Sequence, residues 1–187
     1  MDLLNGMLQK DQDEFRRICN KLINVCFICR QNQATRSDFY FIQKYKEKFG
    51  GYSMKLMDEV MLQEKRMIAD RRYLHENPEL SNQEYHTTEF IRKRLQEFGV
   101  EIENLNLKTG VSALIRGKGN GKTICIRHDI DALPIQEQTG LDFSSKNEGV
   151  SHSCGHDIHI VTALYSAKIL QQHKDELNGN VRIVFQP

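Results

Sequence analysis

The side chains best suited to chemistry crowd into one short stretch, His152-Ser153-Cys154-Gly155-His156-Asp157-Ile158-His159. Cys154 and His156 are two positions apart. In an extended turn alternate residues face the same side, so a thiolate and an imidazole can share one ion there. Gly155 lets the backbone bend tightly between them. Asp157 is placed to accept a hydrogen bond that fixes an imidazole tautomer, and His152 and His159 add further imidazoles around the pair. A blander reading stays open, in which the stretch is the polar start of a helix with Asp157 at the positive end of its dipole. A third makes Cys154 a thiol nucleophile with His152 or His156 as its base. The crowding of extra histidine and aspartate favours a metal over the thiol.

A second polar cluster, Arg127-His128-Asp129-Ile130-Asp131, closes a β-rich segment and runs into Ala132-Leu133-Pro134. Ligands of open α/β sheets gather at the carboxyl ends of strands. Asp129 and Asp131 share one face of an extended segment, where carboxylates can bind a metal, orient a ligand or position a base. The alternative is a charged loop after an edge strand. Two other motifs carry less. Cys26-Phe27-Ile28-Cys29 lies inside an apolar helical pattern with no second pair nearby, which favours core packing over zinc. Gly121-Lys122-Thr123 ends like a phosphate loop, but the position that needs the first glycine holds Arg116.

The elements that must carry these clusters follow from periodicity. Residues 12–29 and 39–48 read as helices, and Gly50-Gly51 breaks the pattern. Residues 55–76 read as a helix stopped by Asn77-Pro78, because the residue before proline disfavours helical dihedrals. Ser81-Asn82-Gln83-Glu84 has the form of a capping box. Thr88, Ile91, Leu95 and Phe98 then make one apolar face, closed by Gly99 at the helix end. Val100–Leu107 is extended. Val111–Arg116 and Thr123–Asp129 are strands whose glycine-rich connection predicts a hairpin or a tight strand connection. After a loop from Pro134 to Ser153, Ile160, Ala163, Leu164, Ala167 and Leu170 mark a helix. Asn178-Gly179 is a turn, and Val181–Phe185 suits a buried strand. This order predicts an α/β layered fold.

Hydrophobic residues make up 39% and charged residues 27% of the 187 residues, which excludes wholesale disorder, a collagen-like fibre and a polytopic membrane protein. A net charge of +1 gives no drive toward nucleic acid. No signal-peptide pattern and no spanning apolar run stand out, which predicts no membrane association. Five cysteines without secretory context predict reduced thiols in a cytoplasm.

Four segments in order carry a resemblance: Arg72-Tyr73-Leu74-His75-Glu76-Asn77-Pro78-Glu79-Leu80-Ser81, Arg127 to Pro134, His152 to His159, and Val184-Phe185-Gln186-Pro187. From about residue 66 onward the chain resembles the N-terminal part of the aminoacylase/carboxypeptidase-like metallopeptidases. The branch is that of the amidohydrolases that include hippurate hydrolase and indole-acetyl-amino-acid hydrolases. The resemblance implies an αβα sandwich of zinc-peptidase type with a two-ion site of zinc, manganese or cobalt. It implies Cys154 and His156 as metal ligands and Asp131 as the catalytic aspartate that orients the site. Asp129, His152, Asp157 and His159 would support them. The implied reaction is metal-assisted hydrolysis of N-acyl amino acids or related small amides, with a glutamate moving the proton of the attacking water.

The pattern is departed from in three places. The resemblance puts a Glu-Glu pair, later histidine ligands and an inserted domain that often dimerises beyond Gln186-Pro187. The expectation is therefore a fold incomplete at its C-terminus and a fragment inactive alone, without the dimerisation domain and with Val181–Phe185 left as an exposed apolar edge. His128 stands where a small residue is usual, as a stray ligand or as packing at the strand end. Residues 1–53 match no family and are expected to form an extra helical segment, with 54–187 as the metallopeptidase-like part and Met54 as a natural start. The competing expectation is a non-enzymatic remnant fused to a helical protein-interaction module.

Overall fold

The computed structural model describes Leu56 and residues 58–187. The helices expected over 12–29 and 39–48, the Cys26/Cys29 pair and the boundary at Met54 lie outside the described residues.

The helix expected over 55–76 is interrupted: residues 58–61 are helical, Leu62-Gln63 make a turn, and α1 (Glu64–Glu76) runs from there to Asn77, ahead of Pro78. The proline stop works as expected. The second, α2 (Tyr85–Glu97), buries Thr88, Ile91 and Leu95 on one face, and Gly99 follows at φ +68°, the left-handed conformation that closes many helices. Its start differs from the expected capping box. Ser81 is exposed in a turn, and the cap comes from further upstream. Glu79 Oε1 accepts from the His86 N–H at 3.1 Å, and its Oε2 accepts from the Thr87 N–H at 2.7 Å. The Glu84 carboxylate does not reach back; it is fully buried.

Strands β1 (Glu101–Glu103), β2 (Val111–Ile115), β3 (Thr123–Asp129) and β4 (Asn180–Gln186) form a four-stranded sheet in the order β1-β2-β4-β3. The expected β2–β3 hairpin is not formed, because β4 lies between them. It pairs antiparallel with β2, Val111 opposite Phe185, and parallel with β3, Asp129 opposite Gln186. The same register corrects the exposed-edge expectation: Val181–Phe185 is interior, and β1 and β3 are the edges among the described residues. The connection between β2 and β3 is tight for another reason. Gly117 and Gly121 lie against the backbone of residues 177–179, where any Cβ would collide with carbonyl oxygens.

The third helix, α3 (His156–Gln172), makes the crossover from β3 to β4, and parallel neighbours require such a connection. It is buried almost all round, from Ile160 through Ala167, because the sheet lies on one side and α1 and α2 pack on others. Val181, Ile183 and Phe185 of β4 point into this core. The scaffold is cross-linked by Asp70, which accepts from Arg94 Nε and Nη2 at 2.9 and 2.7 Å and from the Tyr165 hydroxyl at 3.0 Å. One carboxylate thereby joins α1, α2 and α3. Among the described residues no helix is long and apolar enough to cross a membrane.

Candidate metal centre

The parallel register sets the carboxyl ends of β3 and β4 side by side, and the Ile130 N–H donates to the Gln186 carbonyl at 3.0 Å. Just past this point the Ala132 N–H donates to the Glu79 carbonyl at 2.8 Å. Asp131 is therefore pinned between two anchored neighbours, at the strand-end position where α/β folds gather ligands. The second component arrives from α3. Gly155 precedes the helix at φ +84°, and the nearest atom to a Cβ built on it is Ile158 Cδ1, 4.0 Å away. Dihedral angle rather than crowding calls for glycine here. This left-handed residue turns the chain so that His156 enters the helix facing the strand end.

His156 Nδ1 lies 2.9 Å from both the carboxylate Oδ1 and the backbone carbonyl of Asp131. Both oxygens only accept, so Nδ1 carries the proton and donates. In the neutral ring Nε2 is then left with its lone pair, the usual arrangement of a metal-binding imidazole. Cys154, two residues earlier, is exposed as a free thiol. A thiol and an imidazole are donors that suit zinc, manganese or cobalt to different degrees, zinc best. Among the described residues no three His, Cys, Asp or Glu side chains converge to hold an ion by themselves. The donor chemistry thus fits part of a metal site.

The other expected residues divide. Asp129 turns away to Arg127, whose Nη2 donates to Oδ1 at 2.5 Å, so only Asp131 of the two aspartates meets His156. The side chains on either side of the strand end differ because Asp129 is still in register with β4 and Asp131 is not. The His159 ring centre is 5.5 Å from that of His156 and 6.2 Å from that of His128. Burial lowers the His128 pKa to about 4, with His159 adding to the effect, so His128 is a neutral ring packed at the strand end. His152 is buried, neither ring nitrogen has a protein partner, and burial again lowers its pKa to about 4.

Asp157 does not set the tautomer of a neighbouring histidine in its own motif. Its carboxylate is completely buried and accepts from His75 Nδ1 at 2.7 Å and from the Ile158 N–H at 2.9 Å. Arg71 Nε sits 2.8 Å away as an ion pair, with its N–H off line for a good hydrogen bond. Spacing alone does not single out Arg71, His75 and Glu137. The signal the sequence offers is the i,i+4 placement of Arg71 and His75 on one helix face.

Comparison with known proteins matches part of the chain to one family. Residues 125–187 match Peptidase family M20/M25/M40. This chain carries M20 sequence. It is 50% identical over 124 residues to the N-acetyl-L-cysteine deacetylase of Bacillus subtilis (strain 168), covering 66% of this chain and 30% of that protein. It is 45% identical over 134 residues to thermostable carboxypeptidase 1 of Saccharolobus solfataricus, covering 71% and 34%. Among solved structures, a Bacillus subtilis protein described as a dinuclear metal binding peptidase from the M20 family superposes with TM-score 0.65 at 53% identity, covering 66% of this chain and 34% of that one. A putative aminohydrolase from methicillin-resistant Staphylococcus aureus gives TM-score 0.68 at 42% identity, covering 72% and 36%. The α/β architecture is thus that of M20 proteins, and the chain spans about a third of the length of the relatives it matches.

Proposed function

We propose that this chain supplies part of the metal centre of an M20-type amidohydrolase, with Cys154 and His156 as ligands and Asp131 as the aspartate that orients them. The observation that carries the reading is the shared Nδ1 proton of His156, held by both oxygens of Asp131 at 2.9 Å, which presents Nε2 outward. Asp131 contributes a charge-assisted bond that strengthens the imidazole as a donor. Its position is held by backbone bonds on either side, so it moves little when a ligand arrives. His152 keeps a neutral ring beside the site, and Gly155, left-handed between the two proposed ligands, sets how His156 enters the helix. A bound divalent ion would supply Lewis-acid polarisation of an acyl carbonyl. Two ions of zinc, manganese or cobalt are the expected complement, following the relative described as dinuclear. The substrates are N-acyl amino acids or related small amides, in line with relatives named as N-acetyl-L-cysteine deacetylase and N-acyl-L-amino acid amidohydrolase. A reducing cytoplasm suits a centre with an exposed thiol, and Cys125 is a second exposed free thiol.

Cobalt titration of the full chain tests the reading. Cobalt(II) bound by Cys154 gives a thiolate charge-transfer band in the near ultraviolet, removed by a chelator. Cys154→Ser and His156→Ala each abolish the high-affinity band. A band of unchanged strength in Cys154→Ser would assign the ion to other cysteines and overturn the proposal.

A further inference from the structure

Outside the candidate ligands, a buried charge cluster among the described residues joins Arg71, His75, Asp157 and Glu137. His75 Nδ1 lies 2.7 Å from Asp157 Oδ2, and His75 Nε2 lies 3.1 Å from Glu137 Oε1. Both carboxylates are almost wholly buried. Each is held as an anion by other donors. Asp157 has the Ile158 N–H and the Arg71 charge, while Glu137 accepts from the Ser145 N–H at 2.6 Å and from the Thr139 hydroxyl. A carboxylate anion only accepts, so an unprotonated ring nitrogen facing either one would set lone pair against lone pair. Both His75 nitrogens must donate. The approach of Arg71 Nη2 to Nδ1, 3.2 Å, is then a contact between two cations that share Asp157 rather than a hydrogen bond.

We propose that His75 is a positioning residue of the metal centre, an imidazolium tie that holds the Cys154–His156 segment, through Asp157, to α1 and to the Pro134–Ser153 loop. The inference rests on the metal-centre reading above. Charge balance supports it, since Arg71 and His75 offset Asp157 and Glu137, whereas a neutral His75 would leave a buried excess of negative charge. The groups that face His75 come from every packed element: Arg71 from α1, Asp157 from α3, and Glu137 and Phe143 from the loop, with His152 within electrostatic reach. The Asp157 hydrogen bond raises the His75 pKa against the opposing effect of burial. The geometry explains why the tie matters for ligand placement. Asp157 directly follows His156, and its Oδ1 also accepts from the Ile158 N–H, so anchoring Asp157 fixes the first turn of the ligand-bearing helix. The loop has other anchors to α1 and its end: the Lys146 N–H donates to the Glu76 carbonyl at 2.8 Å, and Asn147 Nδ2 donates to the Pro78 carbonyl at 2.7 Å. Losing His75 therefore frees the start of α3 more than it frees the loop.

The test uses the full chain with its histidine rings labelled with nitrogen-15, and zinc as the probe. At pH 7.5 both His75 ring nitrogens give signals of the protonated type. His75→Gln, which can donate to one carboxylate but not to both, weakens zinc binding about tenfold or more and speeds amide exchange at Ile158 and His159. His86→Gln, on the exposed start of α2, changes neither. A lone-pair nitrogen signal on His75 at pH 7.5 would overturn the proposal whether or not the variant folds. So would a folded His75→Gln that binds zinc as the wild type does. If the wild-type chain binds no zinc, the metal-centre reading fails and the positioning role falls with it. The ring signals and the amide exchange then still report whether His75 holds the start of α3.

Discussion

Replacing Asp131 by asparagine gives a graded test of how the candidate ligand His156 is held. Removing the hydrogen-bonding partner of a metal-binding histidine typically weakens metal affinity by about 10- to 100-fold. The local geometry places this site at the mild end. The His156 Nδ1 proton is shared between the Asp131 side chain and the Asp131 carbonyl, each at 2.9 Å. In Asp131→Asn the carbonyl remains, anchored because its neighbours Ile130 and Ala132 donate to Gln186 and Glu79. The tautomer survives, and only the charge assistance of the carboxylate is lost. The expected rise in the zinc dissociation constant is about 10-fold, or roughly 1.4 kcal/mol. Asp131→Ala should behave alike, since it keeps the same carbonyl. Competition of the full chain against a chromophoric zinc chelator at fixed pH measures this directly, with His156→Ala as the reference for loss of the ligand itself. An Asp131→Asn chain as impaired as His156→Ala would refute the carbonyl argument. One with wild-type affinity would refute the hydrogen bond.

Other outcomes follow from the scaffold. Asp70→Asn leaves Arg94 facing an amide, and should cost about 2–3 kcal/mol in urea unfolding, below the ~3–5 usual for a broken buried pair because Arg94 keeps Glu97. Tyr165→Phe removes one donor from the same carboxylate and should cost about 1 kcal/mol, less still in an Asp70→Asn background. Gly155→Ala meets no steric block but inherits a left-handed φ, so thermal unfolding should report a loss of about 1–2 kcal/mol. Hydrogen bonds to Glu176 and Glu59 raise the His173 pKa above its usual 6.5. Its contribution is therefore fully present below pH 6.5 and fades as pH rises through the higher folded value, and His173→Gln should flatten that part of a stability–pH curve. Glu79 behaves oppositely. Burial tends to raise its pKa, but the hydrogen bonds from Thr87 and His86 win and lower it, so its capping contribution is present above pH 4.5 and is lost in acid.

Local patterns were legible where local forces decide. The apolar face of α2, the core positions of α3, the stop at Asn77-Pro78 and the Asn178-Gly179 turn all follow from periodicity and backbone preference. The errors share a cause in distance along the chain. A glycine-rich link between two strands looks like a hairpin until a strand more than fifty residues later inserts between them. Ser81 and Glu84 look like a capping box until Glu79, held by the Ala132 bridge, supplies both acceptors. The candidate site shows the same limit. Cys154, His156 and Asp131 stood out by type and position, and the structure joins two of them. Asp157 stood out too, but its partner is 82 residues away on α1, beyond the reach of any spacing rule.

The interior place of β4 bears on biosynthesis. Residues 180–186 are the seam that links β2 to β3, so neither of those strands can complete its ladder while the ribosome is still making α3. Before then only the β1–β2 pairing can form. Until residues 180–186 emerge, Val111–Ile115 has one edge unpaired and Thr123–Asp129 has both, an exposure that the last described strand ends for β2 and halves for β3.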